Sequence, residues 1–146
     1  MATFPASVVT PERVLIDDEE VQAVILRTDS GDATFLANHT PLVGAVVPGS
    51  CRLQREDGSE ELVAVHGGFV QVGGNRVVLL APIAELAGEI DVARAQRALE
   101  AAQQLLADAA GARRAGAEEE GGPDPEVIEA EAAAERARVR IEVAGP

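Results

Sequence analysis

The spacing of apolar residues changes once along this chain, and the change divides it into two kinds of structure. Before residue 85, apolar residues alternate or run in short blocks between clusters of turn residues. After it, they recur at intervals of three and four. A period of two belongs to strands and a period of 3.6 to helices. Composition changes at the same place. Of 27 Ala, nine lie in residues 1–84 and 18 in residues 85–146, while all three Phe, the single Cys and both His precede residue 85. Aromatic and β-branched residues favour strands, and Ala favours helices. The expected fold class is β + α: an N-terminal all-β sandwich over residues 1–84, then a C-terminal antiparallel two-helix hairpin over residues 85–146.

Strand candidates in the first part are residues 7–10, 21–28, 34–36, 42–47, 51–55, 61–65, 69–72 and 76–80. They are separated by Pro11, Asp29-Ser30-Gly31-Asp32, Pro48-Gly49, Glu56-Asp57-Gly58-Ser59, Gly67-Gly68 and Gly73-Gly74-Asn75. Short strands with turn signals every eight to twelve residues or so indicate a sandwich or barrel. In residues 21–28 apolar side chains fall on both faces, so both faces are expected to be covered.

In the second part, Val92, Ala95, Leu99, Ala102 and Leu106 form one helical stripe, predicting a helix over about 91–110. Asp91 is its expected N-cap and Gly111 its expected stop. Residues 111–124, with Glu118-Glu119-Glu120 and Gly121-Gly122, read as a loop. Asp124-Pro125 restarts a helix, with Val127, Ala130, Ala134, Ala137 and Ile141 as its stripe. Two Ala-rich seams allow close approach but bury little apolar area, so the hairpin is expected to need another surface.

The formal net charge of −13, with 12 Arg and no Lys, argues against nucleic acid as a partner and against adsorption to anionic lipid. The longest uncharged stretch, residues 33–51, is broken by Pro41, Pro48 and two Gly, so direct membrane insertion is not expected. No secretory signal is visible at the N-terminus, which favours the cytosol. A single Cys excludes a disulfide scaffold. There is no G-x-x-x-x-G-K-[ST] and no G-x-S-x-G, and His39 and His66 lack ligand spacing. Neither a catalytic residue nor a metal site is therefore expected. A hydrolase built on Cys51, His39 and His66 is the weakest reading. A free-standing sandwich and hairpin module that binds another protein is the main alternative to the one developed next.

The order of short motifs resembles the epsilon-subunit family of bacterial F-type ATP synthases. The resemblance rests on Val8-Val9-Thr10-Pro11-Glu12, Gly31-Asp32, Phe35-Leu36-x-x-His39-x-Pro41-Leu42 and Pro48-Gly49. It continues through Val65-x-Gly67-Gly68-Phe69-x-x-Val72, Val77-x-Leu79-x-Ala81 and Ile90-Asp91-Val92-Ala93-Arg94-Ala95. The family usually has Glu at Asp32 and Pro-Gly at Ala37-Asn38; Asn tolerates the left-handed backbone such a turn requires.

The resemblance implies a non-catalytic subunit of the rotating central stalk. It sits at the cytoplasmic face of the cell membrane as a peripheral part of the ATP synthase. Its implied partners are the gamma subunit and the subunits of the membrane ring, with the catalytic head as a further one. The interface residues carried over are Gly31, Asp32, His39, Pro41 and Leu42, read as one loop facing the ring, with His39 supporting that loop or touching gamma. No cofactor is required. In some members the folded hairpin binds ATP, and the matching positions are Glu85, Ile90, Asp91, Arg94, Arg136 and Arg140. Arg136 and Arg140 are four apart and are expected to face one phosphate. Residues 85–146 carry 14 acids against seven Arg, which predicts weak or absent inhibition by an extended hairpin.

Overall fold

A computed structural model describes residues 2–116, 122 and 124–145. The first part is a β-sandwich of nine strands: β1 (Phe4–Val9), β2 (Val14–Thr28), β3 (Gly31–Phe35), β4 (Leu42–Val46), β5 (Gly49–Arg55), β6 (Glu60–Val65), β7 (Gly68–Gly73), β8 (Arg76–Leu80) and β9 (Ala84–Leu86). The second part is two helices, α1 (Val92–Arg114) and α2 (Pro125–Ala144).

The 15-residue β2 joins the layers. Its first half pairs antiparallel with β1, and its second half pairs with both β3 and β5. Bulges in its pairing with β1 and β5 fall near Val21 and give the strand its change of direction. The remaining order runs β1–β8–β7–β4 on one side and β5–β6–β9 on the other. Between the layers Phe4, Val21, Leu26, Phe35, Leu53 and Leu79 are fully buried. In the second half of β2, Val21, Ala23, Val24 and Leu26 are all buried, so both faces are covered there.

Turn chemistry explains the register. Asp29-Ser30 closes the β2–β3 hairpin, with Gly31 at φ +112 on the strand side. Gly74 and Asn75, at φ +58 and +54, form the two-residue turn between β7 and β8, the left-handed pair that suits the twist of a hairpin. Strand β9, which the turn pattern does not announce, pairs with β6 and carries the sheet to Leu86. A 3-10 turn, Ala87–Glu89, leads from it to α1.

Both expected N-caps form. Asp91 accepts from the Arg94 amide at 3.0 Å, and Asp124 from the Glu126 amide at 2.9 Å. Stripe positions are buried in both helices, Ala95 and Ala102 in α1 and Ala130, Ala134 and Ala137 in α2, and the two helices pack on each other. The end of α1 differs from expectation. The helix passes through Gly111 to Arg114, and Gly116, at φ +92, supplies the left-handed terminus instead. A Cβ at Gly111 meets nothing within 4 Å, so this glycine only weakens the helix and does not stop it. Residues 111–114, expected as loop, are therefore helical, and the Glu118–Glu120 run lies outside the described residues.

The hairpin does find another surface. Val139 and Val143, off the Ala seam, pack on Ala64 of β6 with Leu62, Ala87 and Ile90 around them. Helix α2 is thus the layer against the sheet, and α1 packs along α2.

Candidate functional site

Alternation on β4, β7 and β8 places six side chains outward: Val43, Ala45, Phe69, Gln71, Val78 and Leu80. Register aligns them in two rows, Ala45–Phe69–Leu80 and Val43–Gln71–Val78. None is charged, in a chain where 25% of residues are. Val43 is 73% exposed, Phe69 59% and Leu80 46%. Two of the three Phe fill the core, and the third stands in water at the centre of this face. Contiguous apolar surface on a sheet marks a contact with another protein. The sequence held the signal, since residues 76–80 are apolar on both parities, but residues 69–72 read equally well as a half-buried strand.

The loop expected as one unit over residues 31–42 is not one. Gly31 to Phe35 is strand β3, so Gly31 and Asp32 lie at one end of it and the loop of residues 36–41 at the other. Four steps of about 3.3 Å separate the ends by ~13 Å. At the first end Asp32 is exposed and accepts from Arg27 Nε at 3.3 Å. At the other, Asn38 adopts φ +59, the conformation that its identity allows, and its amide donates to Asn75 Oδ1 at 2.7 Å. His39 donates from Nδ1 to the Thr40 carbonyl at 2.7 Å and packs edge-on against Phe35. These contacts make His39 a support of its own loop. Pro41 lies beside Gly73, and Leu42 opens β4 next to the exposed Val43.

A second feature lies where the hairpin meets the sandwich. A cavity of about 350 Å³ is lined by Glu85, Glu89, Asp91, Arg94, Ala95, Ala98 and Arg140. It gathers four of the six residues that the resemblance connects with ATP: Glu85, Asp91, Arg94 and Arg140. The other two lie elsewhere. Ile90 packs in the apolar cluster beneath α2, and Arg136 does not line the cavity. Its Nη2 donates to Glu129 Oε1 at 2.6 Å, so the four-residue spacing does not bring both guanidinium groups to one point. The cavity holds three carboxylates against two guanidinium groups, an arrangement that disfavours a dense negative charge.

Three polar contacts anchor this region. Arg140 Nε donates to Glu85 Oε1 at 2.7 Å, and His66 Nε2 donates to the same oxygen at 3.1 Å. Arg13 forms a two-pronged pair with Glu89, at 3.3 and 2.6 Å, tying the β1–β2 connection to the 3-10 turn. Neither His66 nor Arg13 is marked by any motif, because their partners are 19 and 76 residues away.

The remaining reactive groups are accounted for by burial. Cys51 is fully buried on β5, and burial pushes its thiol up to about 12, which removes it as a nucleophile at neutral pH. Among the described residues, no three His, Cys, Asp or Glu side chains come together in a metal-binding group.

An uncharged sheet face on one layer of the sandwich, and a helical hairpin docked on the other, define a protein that works by contact with other proteins. Comparison with known families makes this specific. Residues 3–87 match the beta-sandwich domain of the ATP synthase delta/epsilon chain, and residues 89–145 match its long alpha-helix domain. The ATP synthase epsilon chain of Symbiobacterium thermophilum is 39% identical over 145 residues, covering 99% of this chain and 95% of that one. The epsilon chain of Desulforudis audaxviator is 48% identical over 106 residues, covering 73% and 76%. A chain in the Euglena gracilis mitochondrial ATP synthase shares the fold, with a TM-score of 0.76 at 24% identity over 94% of this chain and 79% of that one. The chain belongs to the ATP synthase epsilon-chain family.

Proposed function

We propose that this chain is a rotor subunit that couples a membrane ring to the catalytic head of an F-type ATP synthase, without chemistry of its own. The observation that carries this reading is the uncharged face of β4, β7 and β8. A gamma-type stalk subunit is the partner proposed for it. The similar folds found in ATP synthase assemblies, one in an F1/c-ring structure and one in a central stalk and ring structure, support a stalk position. The sandwich suits the task, since torque passes through a close-packed core with little compliance. Localisation follows the assembly: no described helix is long and apolar enough to cross a membrane, and attachment at its cytoplasmic face runs through protein contacts.

Within this reading the two ends of β3 serve different contacts. Asp32, exposed beside Arg27, is the acid proposed to exchange partners with basic groups on the ring. His39, Pro41 and Leu42 border the apolar face and belong with the gamma contact. Co-expression with the gamma subunit followed by size exclusion tests the assignment. A stable one-to-one complex is expected; two separate peaks would overturn it and leave the free-standing module as the better reading.

We further propose that the cavity between β9 and the hairpin is the regulatory ATP site, on the observation that four of the six matching residues converge there. Arg94 and Arg140 are its anion-binding groups. With carboxylates in the majority, affinity is expected to be weak. Equilibrium dialysis at millimolar ATP should show retention by the full chain and its loss in Arg140→Ala. Equal retention by both proteins, or none by the parent, defeats the proposal.

A further inference from the structure

The His66 ring is enclosed where three elements meet. Its side chain is only 4% exposed, although it begins at the surface connection between β6 and β7. Its Nε2 faces Glu85 on β9, and the oxygen it meets is the one that also accepts from Arg140 on α2. Ionised Glu85 offers only acceptors, so Nε2 carries the ring proton and Nδ1 is the bare nitrogen. Among the described residues, His66 Nδ1 is the one buried side-chain nitrogen or oxygen without a hydrogen-bond partner.

That arrangement suits the neutral ring alone. A second proton must sit on Nδ1, where no acceptor waits, and a buried unsatisfied donor is costly. Glu85 attracts a positive ring, but burial and the nearby guanidinium groups oppose one. The charged groups acting on His66 are Glu85 from β9 and Arg140 and Arg136 from α2, and the two arginines oppose the added charge.

We propose that His66 is an acid-sensitive latch: neutral, it helps Glu85 hold Arg140 and keeps helix α2 docked on the sandwich; protonated, it favours release of the hairpin. The proposal goes beyond the stalk assignment and depends only on the docked geometry. Burial lowers the His66 pKa below its ordinary value, outweighing the attraction of Glu85. The sign follows. A group that binds its proton more weakly in the docked state stabilises docking above its free pKa of about 6.5, and that contribution is lost as pH falls below it.

Hydrogen exchange of the α2 amides in the full chain, corrected for intrinsic pH dependence, tests this between pH 7.5 and 5. The opening equilibrium of α2 should rise as pH falls below about 6.5, by at most tenfold per pH unit for a single proton. In His66→Gln, whose amide still donates to Glu85 but does not titrate, the rise should vanish while docking at pH 7.5 persists. An unchanged pH dependence in that variant overturns the latch. Should the variant not fold, an NMR titration of His66 in the unmodified chain decides, since only two His need assignment. Titration below the ordinary histidine value, together with the α2 opening, upholds the latch; titration at or above it overturns it.

Discussion

Replacing Phe69 by Asp should abolish a complex with the gamma subunit while leaving this chain folded. Phe69 is 59% exposed at the centre of the uncharged face, between Ala45 and Leu80. In the free chain the substitution exchanges one exposed side chain for another, and the expected stability change is within about 0.5 kcal/mol. In a complex it removes an aromatic anchor and buries a carboxylate with no partner on its own side. Interface residues of this type cost about 2–4 kcal/mol when lost, or at least ~30-fold in Kd. Binding of gamma to immobilised chain, beside a thermal melt of the chain alone, measures both quantities. Unaltered binding with an unaltered melt would move the partner contact away from β4, β7 and β8.

The second large effect concerns stability. Gly68, at the start of β7, has φ +127, and a Cβ there lies 2.2 Å from the Leu80 carbonyl oxygen and 2.9 Å from Ala81 Cα. Both are backbone atoms of the neighbouring strand segment, so no side chain can rotate away. The chain must either shift the β7–β8 pairing or change φ, and the residue also adopts a backbone region that L-residues avoid. Gly68→Ala should cost about 3 kcal/mol or more, with a Tm lower by at least ~6 °C. Gly111→Ala is the natural comparison. It lies in the last turn of α1 and its Cβ meets nothing within 4 Å, so it should raise stability by up to ~1 kcal/mol. A melt of Gly68→Ala matching that of the parent would mean that the strand tolerates the crowding.

These two glycines show what a sequence reveals and what it conceals. Period and turn residues located eight of the strands, both helices and both caps, because those features are set by neighbours a few residues apart. The same local logic misled at Gly111. A glycine ends a helix only where the chain takes the left-handed turn, and that turn falls at Gly116. Strand β9 was invisible because three residues carry no period; it exists through pairing with β6. Site residues follow the same division. Asp91 and Asn38 adopt roles fixed by their own backbone. Arg136 does not, since its partner is Glu129, seven residues back along the same helix, and not a group of the cavity. The apolar face required knowing that β4 lies beside the β7–β8 hairpin, a pairing of residues about 22 to 30 apart in the chain.

The two-pronged Arg13–Glu89 pair has a mechanical consequence. It fastens the 3-10 turn to the β1–β2 connection, so a swing of the hairpin that keeps this pair bends at Ile90 and Asp91, the two residues between that turn and α1. From this pivot α1 extends 23 residues, a rigid arm about 35 Å long. A rotation of 10° at its base carries the tip through ~6 Å, a full helical turn, with no change inside either domain. Leverage of that kind lets a small change at residues 85–91 be felt at the opposite end of the molecule.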